Sequence, residues 1–220
     1  MRLNEEKDEE YEIEILSNDT EKYDKNYKIG LFGDNEVGKT NLLNRVIKNE
    51  FSENYEKTNN YVILNMYLKI NNHCIKLQIW DVSGDYKISD FHLLSNLQLV
   101  ILCYSIENKA SFQNIGNWLN VLKKYSQSSI KFFLVGNKCD LKNRVINKDE
   151  GEKFKQKNSL DFFDENSAKN GYNSSEIFIE AAKCIYKNST IKNNIEINQN
   201  DEVSIERDDK SSCSCTIIWF

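Results

Sequence analysis

A chain of 220 residues suits one domain with tails better than two full domains, and 40% hydrophobic with 29% charged residues is an ordinary globular balance. No run of about eighteen apolar residues occurs and no basic-then-apolar leader opens the chain, so neither a membrane span nor secretion is expected. The net charge of −5 is uneven: residues 1–26 carry ten acids and four bases, residues 189–220 carry six acids and three bases, and the stretch between is net +4. That pattern argues against a nucleic-acid binder, which needs a large basic face, and suits a core that holds an anionic ligand.

The acidic, aperiodic residues 1–26 read as a disordered arm. Tyr27–Phe32 is a short apolar strand running into Gly33. Leu42, Leu43, Val46 and Ile47 fall at helical spacing and predict a helix over Thr40–Asn49. Residues 50–60 are polar and irregular. Tyr61–Ile70 and His73–Trp80 read as two strands joined at Asn71-Asn72, because Asn tolerates the positive φ of a tight hairpin turn. Ile75, Leu77 and Ile79 alternate with Lys76 and Gln78, which buries one face of the second strand.

Residues 81–96 are polar, with one or two helical turns expected. Leu97–Tyr104 is a continuous apolar run, as a strand buried on both faces requires. Phe112, Ile115, Leu119 and Leu122 mark an amphipathic helix, and Phe132–Val135 another buried strand. A helix over 148–158, a strand at Asp161–Asp164 and a last helix through Ile177, Phe178, Ala181 and Ile185 complete the pattern. From about residue 189 a flexible tail is expected. Strands alternating with helices predict an α/β fold: a six-stranded, mostly parallel sheet with one antiparallel strand and helices on both faces. Cys74, Cys103, Cys139 and Cys184 lie inside these elements without paired metal spacing, so reduced thiols of a cytoplasmic protein are expected.

Gly33-Asp34-Asn35-Glu36-Val37-Gly38-Lys39-Thr40 matches the phosphate-binding pattern G-x-x-x-x-G-K-[ST]. Glycines let the backbone curl so that several N–H groups face one phosphate, and the following helix aims its positive end there. Lys39 is placed to reach the β- and γ-phosphates, and the Thr40 hydroxyl to bind Mg²⁺. Asn137-Lys138-Cys139-Asp140 comes after a buried strand about a hundred residues later. A carboxylate there accepts two hydrogen bonds from the N–H groups of guanine. Adenine offers no such pair, so Asp140 selects guanine.

Together these motifs resemble the Ras-like small GTPases and their P-loop fold, over roughly Tyr27 to Lys187. The resemblance implies that Ser167-Ala168-Lys169 supports the guanine from its backbone, and that Asn41 lies beside the phosphates. It gives Phe51 two readings, a ring against the base or an ordinary apolar loop anchor. Trp80-Asp81-Val82-Ser83-Gly84 resembles the family's W-D-T-A-G. By that likeness Asp81 holds Mg²⁺ through water, the Gly84 N–H meets the γ-phosphate, and Thr58 binds Mg²⁺ in the triphosphate state only. Ile75–Asp81 and Leu134–Leu141 look specifically Rab-like. The resemblance further implies a molecular switch with an exchange factor, an activating protein and effectors as partners. The same likeness implies a monomer working in vesicle traffic on the cytosolic face of an intracellular membrane.

The chain also departs from the pattern. Asp85 stands in place of the catalytic glutamine, whose amide both donates and accepts. An ionised carboxylate only accepts, so slow intrinsic hydrolysis is expected. Asn35 and Glu36 replace small residues of the phosphate loop, and Asn60 replaces a glycine after Thr58. Cys213 and Cys215 resemble a double-prenylation signal but lie farther from the end than usual. Unmodified thiols are the other reading. Two rivals stay open: a non-cycling, GTP-bound membrane scaffold, and an ATP-using phosphate-loop enzyme such as a small kinase.

Overall fold

The structure, a computed structural model, describes residues 11–17, 20, 22–86, 96–125 and 129–205, with side chains through residue 190. The strands are β1 (Ile13–Ile15), β2 (Lys25–Phe32), β3 (Tyr61–Ile70), β4 (His73–Val82), β5 (Leu99–Ser105), β6 (Lys131–Asn137) and β7 (Phe162–Glu165). The helices are α1 (Lys39–Lys48), α2 (Lys109–Tyr125), α3 (Lys148–Asn158) and α4 (Ser174–Ile205). Two units are distinguished, Met1–Ile185 with the sheet, and Tyr186–Phe220, whose described part is helical.

The strands form one sheet in the order β1-β3-β4-β2-β5-β6-β7. β3 pairs antiparallel with β1 and β4, and every other pair is parallel, so β3 alone runs against the rest. The six strands expected from the sequence are all present. Burial explains their patterns. Every residue of β5 is buried, as its unbroken apolar run demands. In β4, Ile75, Leu77 and Ile79 are buried while Lys76 and Gln78 between them are half-buried. Asn71 turns the β3–β4 hairpin at φ 51°.

Three features differ from the sequence expectation. The acidic arm contains β1, which pairs Ile13 with Ile70 and Ile15 with Leu68, and β2 begins at Lys25. A three-residue strand among acids carries too little periodicity to be read, yet it covers part of the β3 edge. The last helix runs to Ile205, past the expected start of the tail. The helical turns expected within 81–96, and Cys213 and Cys215, lie largely or wholly outside the described residues. Among the described residues no helix is long and apolar enough to cross a membrane.

Topology sets where chemistry can occur. From β2 the chain passes to β3 and comes back to β4 beside β2, then crosses to the other side of β2 as β5. Ligands of open α/β sheets sit at such a reversal, beyond the C-terminal strand ends. At those ends lie the glycine loop after β2, Asp81 in β4, Asn137 closing β6, and Ser167 just after β7.

Two glycines test the packing of α2 and α3, which share one hydrophobic cluster. A Cβ on Gly151 would lie 2.2 Å from the buried Phe163 ring, while one on Gly116, inside α2, meets nothing within 4 Å. Gly151→Ala is expected to cost about 1–3 kcal/mol by overpacking. Gly116→Ala is expected to add about 0.5–1 kcal/mol through helix propensity. Urea unfolding measures both, and equal midpoints for the two variants would contradict this packing.

Candidate functional site

The glycine loop curls because two of its residues take backbone angles that side chains resist. Gly33 has φ 142° and Gly38 φ 92°, and a Cβ on Gly38 would sit 2.3 Å from the Asn137 amide. The turn brings Lys39 back over its own loop, where its ammonium donates to Gly33 O and Asp34 O at 2.8 Å each. Asp34 is itself held: its Oδ1 accepts from Asn114 Nδ2 at 2.6 Å and Trp118 Nε1 at 2.8 Å, both on α2. Val37 is buried beneath the loop and Glu36 is exposed.

Lys39 and Asp81 are both buried, at 6% and 1% exposure. Burial pushes the Lys39 ammonium below its ordinary range, against the pull of Asp81. Burial likewise raises Asp81, against the Thr40 hydrogen bond and the Lys39 charge. Each charged form is short of solvation, so an anion beside Lys39 and a cation beside Asp81 would both be favoured.

The Thr40 hydroxyl donates to Asp81 Oδ2 at 2.6 Å and lies 3.0 Å from the Thr58 hydroxyl. Asp81 Oδ1 is buried with no hydrogen-bond partner. Two hydroxyls and a carboxylate with one orphaned oxygen form the hard oxygen set that Mg²⁺ takes, so the residues present fit that ion. All three residues expected at the metal therefore meet. Asn60 has φ 54°, the left-handed conformation that a glycine would supply, and its carbonyl accepts Ser83 N–H at 2.8 Å. The substitution of this glycine thus leaves the loop path open to Thr58.

Asn137 is buried between the loops. Its Nδ2 donates to Val37 O at 3.0 Å and Gly38 O at 3.1 Å, and its Oδ1 accepts Lys138 N–H at 2.8 Å. Asp140 accepts the Ser167 hydroxyl, and Ala168 N–H approaches Asn137 Oδ1 at 3.4 Å. Lys138 pairs with Glu107 at 2.8 Å. Asn41 exchanges two hydrogen bonds with Ser52, which fixes the loop carrying Phe51. Lys169 pairs with Glu53 across that same loop at 2.8 Å.

One cleft of about 530 Å³ joins these groups, within the range of small-molecule sites. Asn35, Gly38, Lys39, Thr40, Phe51, Thr58, Gly84, Asn137, Asp140 and Ala168 all line it. The half-buried Phe51 lines the same cleft as Asp140.

Asp85 stands at the cleft rim. Its Oδ1 accepts Asn35 Nδ2 at 2.7 Å, and its Oδ2 pairs with Lys57. The Lys57 ammonium, and after it the Asn35 amide, hold the Asp85 carboxyl below its ordinary range, so it is ionised at neutral pH. Gly84 N–H donates to Asn35 Oδ1 at 3.1 Å. Lys57, Glu53, Glu107, Asn114 and Trp118 were not expected at the site. Each acts through a partner far away in sequence, which no local pattern shows.

The model of the Ras family matches residues 28–187. Ras-related protein RABA5e of Arabidopsis thaliana is 34% identical, over 84% of this chain and 88% of the relative. RABA1b of the same plant is 32% identical, over 86% and 88%. Ras-related protein Rab-13 of Bos taurus is 31% identical, over 87% and 97%. With the phosphate loop, the N-K-x-D loop and the sheet reversal all meeting at one cleft, the chain belongs to the Ras family of small GTPases, as a divergent Rab-like member.

Proposed function

We propose that this chain is a Rab-like switch that binds GTP and GDP with Mg²⁺ and hydrolyses GTP slowly. The observation that carries the reading is the single cleft into which both Lys39 and Asp140 open, bridged by Asn137. Backbone N–H groups from Gly33 to Thr40, with the Lys39 ammonium, face the phosphates. Asp140 accepts from the two N–H groups of guanine, the Ser167-Ala168-Lys169 backbone supports the base, and Phe51 packs against it. Thr40, Thr58 and Asp81 would hold Mg²⁺, which would supply positive charge to offset that of the phosphates.

Water attacks the γ-phosphorus in line, the bond to the β–γ bridging oxygen breaks, and GDP and inorganic phosphate leave. The Gly84 N–H serves the γ-phosphoryl oxygens once Asn35 releases it. Asp85 cannot donate to them, and its charge opposes theirs. Loops 51–60 and 84–96 would carry the nucleotide state to effectors, an exchange factor and an activating protein. Prenylation of Cys213 and Cys215 would hold the protein on the cytosolic face of a membrane in vesicle traffic. The bond between Asn35 and Asp85 favours one second reading, a GTP-bound scaffold that does not cycle.

Single-turnover assays separate the two readings. Intrinsic hydrolysis is expected below about 3 × 10⁻⁴ s⁻¹, with Asp85→Gln raising it about tenfold. A wild-type rate at or above that level would remove the role given to Asp85, and no turnover in either protein would favour the scaffold. Base choice is tested by competition. ATP is expected not to displace bound GDP, and Asp140→Ala is expected to weaken GDP binding roughly ten- to a hundredfold. Displacement by ATP would return the chain to the kinase reading.

A further inference from the structure

α1 carries site residues at its start, Lys39 and Thr40, and a half-buried arginine near its end, Arg45. The Arg45 guanidinium reaches out of its own helix. Its Nε donates to Ala168 O at 2.8 Å and its Nη2 to Lys169 O at 2.9 Å, more than 120 residues away in sequence. Its Nη1 donates to Asn49 Oδ1 at 2.9 Å and Asn49 O at 3.2 Å, at the helix C-cap. A planar fork of donors is the one side chain able to hold two successive carbonyls and a helix end at once.

Those two carbonyls determine where the loop's N–H groups point. In a trans peptide the C=O and the following N–H are opposed, and no described peptide bond is cis. Fixing Ala168 O on Arg45 therefore turns Lys169 N–H to the other side of the loop. Fixing Lys169 O does the same for Asn170 N–H, which donates to the Ser167 hydroxyl at 3.3 Å. That hydroxyl in turn donates to Asp140. Ala168 N–H already faces Asn137 Oδ1. Ala168 and Lys169 line the cleft, whereas Arg45 stands outside its wall.

We propose that Arg45 is a positioning residue for base recognition, orienting the Lys169 N–H donor toward the O6 acceptor of guanine. The assignment rests on the guanine reading of the cleft. Asp140 reads the donor edge of the base and Arg45, through the Ala168 carbonyl, sets the Lys169 N–H that reads the acceptor. Because α1 begins at the phosphate loop, one rigid helix fixes the spacing between the phosphate end and the base end.

The test compares GDP with 6-thio-GDP, which keeps both N–H groups read by Asp140 but replaces O6 with a poor acceptor. Equilibrium competition on the full chain gives the ratio of the two affinities. The wild type is expected to prefer GDP by about tenfold. Arg45→Ala is expected to bring that preference to within about twofold, chiefly by weakening GDP. Arg45→Lys keeps the charge and stem but cannot bridge both carbonyls, so the preference falls there too, which covers the case in which the alanine variant does not fold. Asn49→Gly removes only the side-chain bond at the helix end, and Gly fits the φ of 56° at that position, so it keeps the wild-type ratio. An unchanged ratio in Arg45→Ala or Arg45→Lys overturns the proposal, as does a matching loss in Asn49→Gly. If the wild type binds GDP but shows no preference over 6-thio-GDP, this assignment alone fails. If it binds no GDP, the guanine reading fails first.

Discussion

The Asn137 carboxamide joins the two halves of the site. Its amide donates to two carbonyls of the phosphate loop, Val37 O and Gly38 O, while its oxygen accepts from Lys138 N–H and lies near Ala168 N–H. Three loops from three parts of the chain are thereby set against one another by a single buried side chain. Such a bridge is favourable only when every polar group in it is matched, because an orphaned buried carbonyl costs about 1–3 kcal/mol. The missing Cβ of Gly38 is what lets the amide approach, so the glycine serves the bridge as well as the turn. The parallel sheet supplies the rest: β2 and β6 both end at the same edge, on either side of β5.

Much of this was legible in the sequence because it rests on local chemistry. Glycines at fixed spacing, a lysine after them, and a carboxylate after a buried strand announce their roles by type and distance along the chain. The continuous apolar run of β5 and the alternation in β4 revealed the sheet in the same way. The unread parts are long-range or weakly patterned. Arg45 looks like any polar helix residue until it meets Ala168 and Lys169. Asp34 gives no sign that Asn114 and Trp118 will hold it. The strand β1 hides among acids, since its pairing with β3 is decided by an open sheet edge rather than by its own propensity.

The departures from the family pattern are of two physical kinds. Asn60 keeps the backbone conformation of the residue it replaces, so the chain path survives the change. Asp85 and Asn35 instead alter chemistry, because they bond each other and engage Lys57 and Gly84. In the proposed function, Lys39, Thr40, Asp81 and Asp140 supply the donors and charges for a guanine nucleotide with Mg²⁺. The position that would orient water carries a carboxylate kept ionised by a neighbouring lysine.

The proposed contrast between retained binding and slow turnover is tested most directly by the nucleotide that the protein itself carries. Recombinant protein purified with Mg²⁺ is denatured, and the released nucleotide is identified by chromatography. The account predicts bound guanine nucleotide, mostly GTP. Mostly GDP would contradict the assignment of slow hydrolysis to Asp85, and adenine nucleotide would contradict the reading of Asp140.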